Sequence, residues 1–357
     1  MTLLPTSRPT AWSRYRWITL AVAAAVAFPF VVAILSGQSP GAVIAGDAGN
    51  AKFLQGLAIE VFILGLYALS YDLVLGITGL LSFGHAMFFA VGAYASGIML
   101  KSFGWSLPVT VVGVIIAALL QALLFGIVLP RVKGLAFALV TLGISSVFYI
   151  VIQSSELGDY TGADIGLQGV PVPEWFDTNV HRFRIYLATL AVLTVTYIIY
   201  RAIVRSSTGA VLLANRENED RALALGYNTF WFKLFALSVA SLAAATAGML
   251  WTIQQPIVTP QVASLGWTVA ALLMILIGGV GTLTGAIVGA AVYRLLSYYL
   301  ERWFGGTAPV LIGAAYVAIV LFIPYGIVGT WRARALDRKR GLERLKGLLT
   351  GRGSTRG

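Results

Sequence analysis

The chain has 357 residues, 58% of them apolar and only 11% charged, with a mean hydropathy of +0.85, where soluble domains carry about 25% charge. A soluble enzyme is excluded. With no cysteine and two histidines, disulfides, thiolate nucleophiles, cysteine-ligated zinc and iron–sulfur clusters are excluded too, and little is left for a histidine metal centre. The net charge of +11 sits in the tails: residues 331–357 hold nine basic and two acidic residues, and Arg8, Arg14 and Arg16 add three more basic ones. Basic charge confined to the ends of an apolar chain is the pattern of anchoring beside anionic membrane lipid, and argues against nucleic acid as a partner.

A hydrocarbon core about 30 Å thick needs roughly 20 apolar residues per crossing helix, because each helix must satisfy its own backbone hydrogen bonds. Charge-free runs supply that length repeatedly. They predict an all-α, polytopic transmembrane bundle of about ten segments, at 17–35, 53–75, 80–100, 108–129, 135–153, 185–204, 231–252, 267–280, 282–300 and 309–329. The first segment's apolar core, about 19 residues, is longer than the 7–15 of a signal peptide, so it is read as a retained span. Domain organisation follows as an N-tail (1–16), a transmembrane domain (17–330) and a basic C-tail (331–357), with an external loop at 154–184 and a long cytoplasmic loop at 205–230.

Orientation is read from the basic residues. With both termini cytoplasmic, nineteen of the 25 fall inside: three in the N-tail, Arg131 and Lys133, five from Arg201 to Lys233, and nine in the C-tail. Such a bias is what the positive-inside rule expects. The loop at 154–184 carries five acids, in keeping with an external position.

No phosphate-binding Gly-x-x-x-x-Gly-Lys-[Ser/Thr] loop is present, nor any Gly-Lys dipeptide, so ATP is not hydrolysed here by that device. No catalytic dyad or metal constellation is visible, and the chain is read as a non-enzyme without a cofactor of its own. Energy for uphill movement would come from an ion gradient or from a separate ATPase. The gradient alternative rests on Glu60, Asp72 and His85, since acids within a span are costly. Asp72 is expected near the cytoplasmic end, within reach of headgroups, and a satisfied contact between helices is the other account of all three.

Two glycine stretches stand out. Gly76, Gly79, Leu81 and Ser82 spell Gly-x-x-Gly-x-Leu-Ser, and Gly278, Gly281, Leu283 and Thr284 spell Gly-x-x-Gly-x-Leu-Thr, 202 residues later. Both are predicted to join two spans at the cytoplasmic side, as a parallel repeat. Glycine either breaks helices that line a path or simply lets them pack closely. The loop RSSTGAVLLANRENEDRALALGYN (205–228) is long enough for two short helices, one at about 218–225 with Asn218 as N-cap, acids in its first turn and Gly226 as its stop. It is either an ordinary connector or a rigid knob that passes on force from a partner.

The run from Ser207 to Leu250 resembles the coupling-loop signature of the branched-chain amino acid permeases of ABC importers, LivM type. In that family a Ser-x-x-Gly stretch leads into Ala-Ile-Arg-Glu-[Asn/Asp]-Glu, then Ala-x-x-Leu-Gly and a Lys-Leu helix. Those positions fall on Ser206, Gly209, Ala214, Arg216, Glu217, Asn218, Glu219, Ala222, Leu225, Gly226, Lys233 and Leu234; Asn215 stands where Ile is usual, and Ala210 where a basic residue is common. Residues 76–99, 134–143 and 272–290 resemble further stretches of the same family in the same order. The resemblance implies a permease subunit of the bacterial inner membrane. Its partners would be a second permease of LivH type, two cytoplasmic ATPases of LivG and LivF types that bind ATP-Mg, and a periplasmic substrate-binding protein. It implies ATPase coupling through Gly209, Arg216, Glu217, Glu219, Asp220, Ala222, Leu225 and Gly226. The substrate path would be lined by Gly79, Ser82, Gly84, His85, Gly279, Gly281 and Thr284. The substrate implied is a branched-chain or related apolar amino acid, with urea as the alternative, because urea permeases share much of the signature. Reversing the charge of Glu219 and Asp220 together is expected to weaken ATPase docking while leaving insertion intact.

Overall fold

A computed structural model describes residues 11–46, 49–177, 181–323 and 325–331; Arg8 and the C-tail beyond Trp331 lie outside the described residues. Among those described, ten helices of 14 residues or more overlap the ten predicted segments. They are α1 (Ala11–Leu35), α3 (Asn50–Tyr71), α4 (His85–Lys101), α5 (Leu107–Val128), α6 (Leu135–Gln153), α8 (Arg182–Arg205), α11 (Thr229–Gln254), α12 (Leu265–Gly278), α13 (Leu283–Phe304) and α14 (Ala308–Phe322). Shorter helices intervene: α2 (Pro40–Ala45), α7 (Gly158–Thr161), α9 (Ser207–Glu217) and α10 (Glu219–Ala224). Among the described residues, seven helices are long and apolar enough to cross a membrane.

Of the remaining three long helices, α4 and α14 are shorter than their predicted segments and α12 lies two residues earlier than its own, each for a local reason. Residues 80–84 are not helical, and α4 begins only at His85; Gly79 (φ +80°) turns the chain out of helical geometry first. α12 stops at Gly278 because Gly279 takes φ +115°. α14 stops at Phe322, since the next residue, Ile323, precedes a proline and is driven out of the helical region.

α3 does not end at Tyr71 but widens into a π-helical turn, Asp72–Ile77. Thr78 closes it, its amide donating to the Leu73 carbonyl at 3.1 Å and its hydroxyl to the same oxygen at 2.8 Å. Such turns are rare inside α-helices and concentrate at functional sites.

α3 lies at the centre, 78% of its most apolar window being buried, whereas only 11% of that of α1 is. α4 and α11 cross so closely that Gly92 faces the Ala245 carbonyl and Gly248 the Phe89 carbonyl, leaving no room for a Cβ. Without a hydrophobic drive between helices in lipid, such small-residue contacts and hydrogen bonds hold the bundle. Thr252 donates to the Ala93 carbonyl at 3.1 Å, and Ser241 to that of Ala118 at 2.7 Å.

At the C-terminal end of α4 a cap closes the bundle. There β1 (Leu167–Gln168) pairs antiparallel with β2 (Ile257–Val258), Leu167 opposite Val258. Leu167, Val170 and Val258 are buried, and Lys101 Nζ donates to the Gln168 carbonyl at 2.7 Å. The glycine break before α4 lies at the opposite end.

Candidate functional site

The long loop folds as two short helices. Ser206 opens α9, its hydroxyl accepting the Gly209 amide at 3.4 Å. Asn218 leaves helical geometry and caps α10, its side-chain oxygen accepting the Arg221 amide at 3.0 Å, and Gly226 (φ +87°) ends the turn. These are the caps that polar and glycine residues supply to orphaned helix ends.

The last turn of α9 aims Arg216 at the bundle, where Nη1 donates to the Gly76 carbonyl at the end of the π-turn. That carbonyl comes from a helix terminus, where acceptors lack partners within the helix. Beside it, the Gly281 amide donates to Asp72 Oδ1 at 2.6 Å. The two glycine stretches, 202 residues apart, therefore meet at one junction, tied to each other by a carboxylate and to the loop by a guanidinium on the first. Space is tight. A Cβ on Gly281 would stand 3.0 Å from both Arg216 Nη1 and the Gly76 carbonyl, and one on Gly79 would stand 2.9 Å from Arg216 Cγ. Asp72 is fully buried, so the expectation that it reaches headgroups is corrected: its carboxylate is spent on the second glycine stretch.

Glu219 pins the other side of the loop. It pairs with Lys233 at 2.6 Å, accepts the Thr229 hydroxyl at 3.0 Å, and lies 3.8 Å from Lys133 in the turn between α5 and α6. Burial alone would raise its pKa; the hydrogen bond and charge of Lys233, the Thr229 hydroxyl and Lys133 outweigh that and hold it below the ordinary carboxylate value. Reversal of Glu219 together with Asp220 would thus dismantle the loop's own anchor before it tested any docking. The outward face consists of Glu217, Asp220 (side chain 86% exposed), Leu223 and Leu225 (76%). Ala222 is buried beneath it, Gly209 packs against the Ile203 and Val204 carbonyls, and Gly226 forms the turn.

The seven residues read as path-lining do not share one cavity. Gly79 and Gly281 belong to the junction, Gly84 faces the Thr141 carbonyl, Gly279 approaches the Tyr325 carbonyl, and Thr284 borders a groove between α1, α8 and α13. Ser82 and His85 are fully buried. His85 Nε2 lies 2.8 Å from Ser70 Oγ, with its ring 4.6 Å from that of Tyr71 and 5.5 Å from that of Tyr67. A cleft of about 80 Å³ opens instead among Gly79, Lys133, Asn215, Arg216, Glu219 and Lys233.

Glu60, named in the sequence as a gradient candidate or a satisfied contact between helices, has such a contact, and what the sequence did not show is its partner. Glu60 of α3 is ion-paired with Arg294 Nε of α13 and accepts Gln255 Nε2 at 3.3 Å. The only signal was that Arg294 is the one charge within its predicted span.

Apolar spans interrupted by glycine breaks, with a folded polar loop bound to the first of them, define a multi-pass helical membrane protein. A family described as the permease component of branched-chain amino acid transport systems matches residues 53–325, and the chain belongs to it. It is a multi-pass protein of the inner membrane. The chain is 26% identical over 300 residues to the high-affinity branched-chain amino acid transport permease LivM of Salmonella typhimurium, covering 76% of this chain and 69% of that one. It is 25% identical to LivM of Escherichia coli over 76% and 68% of the two chains, and 24% identical to LivH of Escherichia coli over 74% and 90%. No solved structure matches the chain.

Proposed function

We propose that the chain is one permease subunit of an ATP-driven importer and forms a transmembrane path for branched-chain or related apolar amino acids. A second permease of LivH type, cytoplasmic ATPases of LivG and LivF types and a periplasmic binding protein complete the assembly. Ten segments cross the membrane, both termini and the loop at 205–230 are cytoplasmic, and the loop at 154–184 is external. The tails, 1–16 and 331–357, lie beside the inner leaflet.

One observation carries this reading: Arg216 joins the loop to the first glycine break and Asp72 ties that break to the second, so a push on the loop's outer face has a direct mechanical route into the spans. ATPases that grip Glu217, Asp220 and Leu225 differently in two states would shift the equilibrium between them. Gly79, Gly279 and Gly281 are then the hinge, and Ser82, Gly84, His85 and Thr284 join the path when it opens. Proton coupling is disfavoured, because Glu60 and Asp72 already have partners in Arg294 and the Gly281 amide. The names of the relatives favour amino acid over urea.

Proteoliposomes holding the complete complex test the reading with labelled leucine, urea and arginine. Uptake of leucine that requires ATP and survives a proton uncoupler supports it; uptake by this chain alone, or of urea only, overturns it. Because the chain has no cysteine, Ser207→Cys and Ser155→Cys report sidedness. An impermeant thiol reagent should label only the second from outside.

A further inference from the structure

α1 stands away from the bundle, and between it, α8 and α13 runs a groove of about 590 Å³. Its walls are apolar, formed by Val22, Phe62, Leu190, Leu193, Ile287 and Val288. Its composition is lopsided. Arg201 and Arg205, from the last turns of α8, line the end nearest the glycine junction, and among the described residues no carboxylate lines it. Trp17 lines the same groove, and the Arg16 guanidinium lies 5.3 Å from its ring centre, which adds a third cation at the border.

A long apolar slot with cations at one end fits an amphiphile with an anionic head. From Leu190 to Arg205 the slot follows α8 for about 22 Å at 1.5 Å per residue. That exceeds the roughly 15 Å of hydrocarbon in one leaflet. A transported amino acid fits poorly, since its ammonium would find no acid among the described lining residues. Guanidinium groups hold phosphate oxygens bidentately, and tryptophan favours the headgroup level.

We infer that this groove binds an anionic phospholipid of the inner leaflet, acyl chain along α8 and phosphate on Arg201 and Arg205. The inference rests on the orientation proposed above, which places that end of α8 at the cytoplasmic surface. Gly281 and Thr284 also border the groove, so the bound lipid buttresses the start of α13 beside the Arg216 bridge. Basic pockets between spans on the cytoplasmic side are the usual setting for such binding.

The test counts lipid on the purified full complex, delipidated and then titrated with phosphatidylglycerol or phosphatidylcholine, by mass spectrometry; no transport is needed, so failure here is separable from failure of the importer reading. Wild type should retain phosphatidylglycerol in preference to phosphatidylcholine by about tenfold or more, the scale of two cations acting on one phosphate. R201Q/R205Q should abolish the preference. Val22→Trp, which fills the slot and leaves the arginines in place, should abolish retention. Equal retention of both lipids by wild type, unchanged phosphatidylglycerol binding in both variants, displacement of the lipid by leucine, or a helix of the second permease seated in the slot would each overturn the inference.

Discussion

The two glycine stretches share a spelling and differ in what surrounds them. The first begins inside the π-turn that opens with Asp72, and leads through buried Ser82 to His85 in the interior. The second has no charged side chain of its own: Thr282 braces it by bonding to the Gly279 carbonyl, and Thr284 looks into the groove beside α1. One stretch is the anchor and the other is the piece that is held. The bond from Gly281 to Asp72 and the reach of Arg216 to Gly76 both converge on the first, so a disturbance of the loop acts there before it reaches the second. A repeat in sequence has become a division of labour in structure.

That asymmetry can be broken in steps of decreasing size. Gly76→Ala should be the most damaging, because its Cβ would run into the Asp72 carboxylate and come within 2.6 Å of the Gly281 nitrogen. A cost of about 2–3 kcal/mol and loss of uptake are expected. Gly278→Ala, whose Cβ would run into the Gly285 carbonyl, should lower the melting temperature of the purified protein by a comparable amount without severing the two stretches. Asp72→Ala comes next, at about 1–3 kcal/mol, since it leaves the Gly281 amide unpaired; Asp72→Asn keeps an acceptor and should cost less than half of that in the same thermal melt.

Glu219→Gln should cost about 1 kcal/mol at neutral pH, and the loss should depend on pH in a defined direction. The folded-state pKa of Glu219 lies below its ordinary value of 4.5, so its contribution is complete above pH 4.5 and fades as pH falls through the lower folded value. Melting temperatures of wild type and variant should therefore converge in acid; a constant gap would show that charge is not what anchors the loop. The smallest effect has the opposite sign. Asn215 is 6% exposed and both polar atoms of its amide lack hydrogen-bond partners, so Asn215→Ile should stabilise the protein by about 0.5–1 kcal/mol.

Much of the fold was legible because lipid imposes a simple rule: a charge-free run of the right length must satisfy its own backbone, and the helix is its solution. The caps of α10 were legible too, as Asn218 and Gly226 are local signals. The start of α4 was not, since Leu80, Leu81 and Phe83 are as apolar as a span and only the flanking glycines betray an extended chain. Nor could the role of Asp72 be read, for its partner lies 209 residues away and the contact exists only once α3 and α13 are packed. Arg216 and Glu219 stood out as part of a motif, but a motif does not tell which side chains turn inward. Both reach across to the bundle, Arg216 to the Gly76 carbonyl and Glu219 to Lys233, whereas Glu217, Asp220 and Leu225 sit on the exposed side.

The most direct test is to compare leucine uptake and ATP hydrolysis by the reconstituted complex carrying Arg216→Ala. If Arg216 is the link between loop and spans, hydrolysis continues while uptake falls at least about tenfold, the effect of losing about 1.4 kcal/mol of coupling. Uptake at the wild-type rate with hydrolysis unchanged would contradict the account.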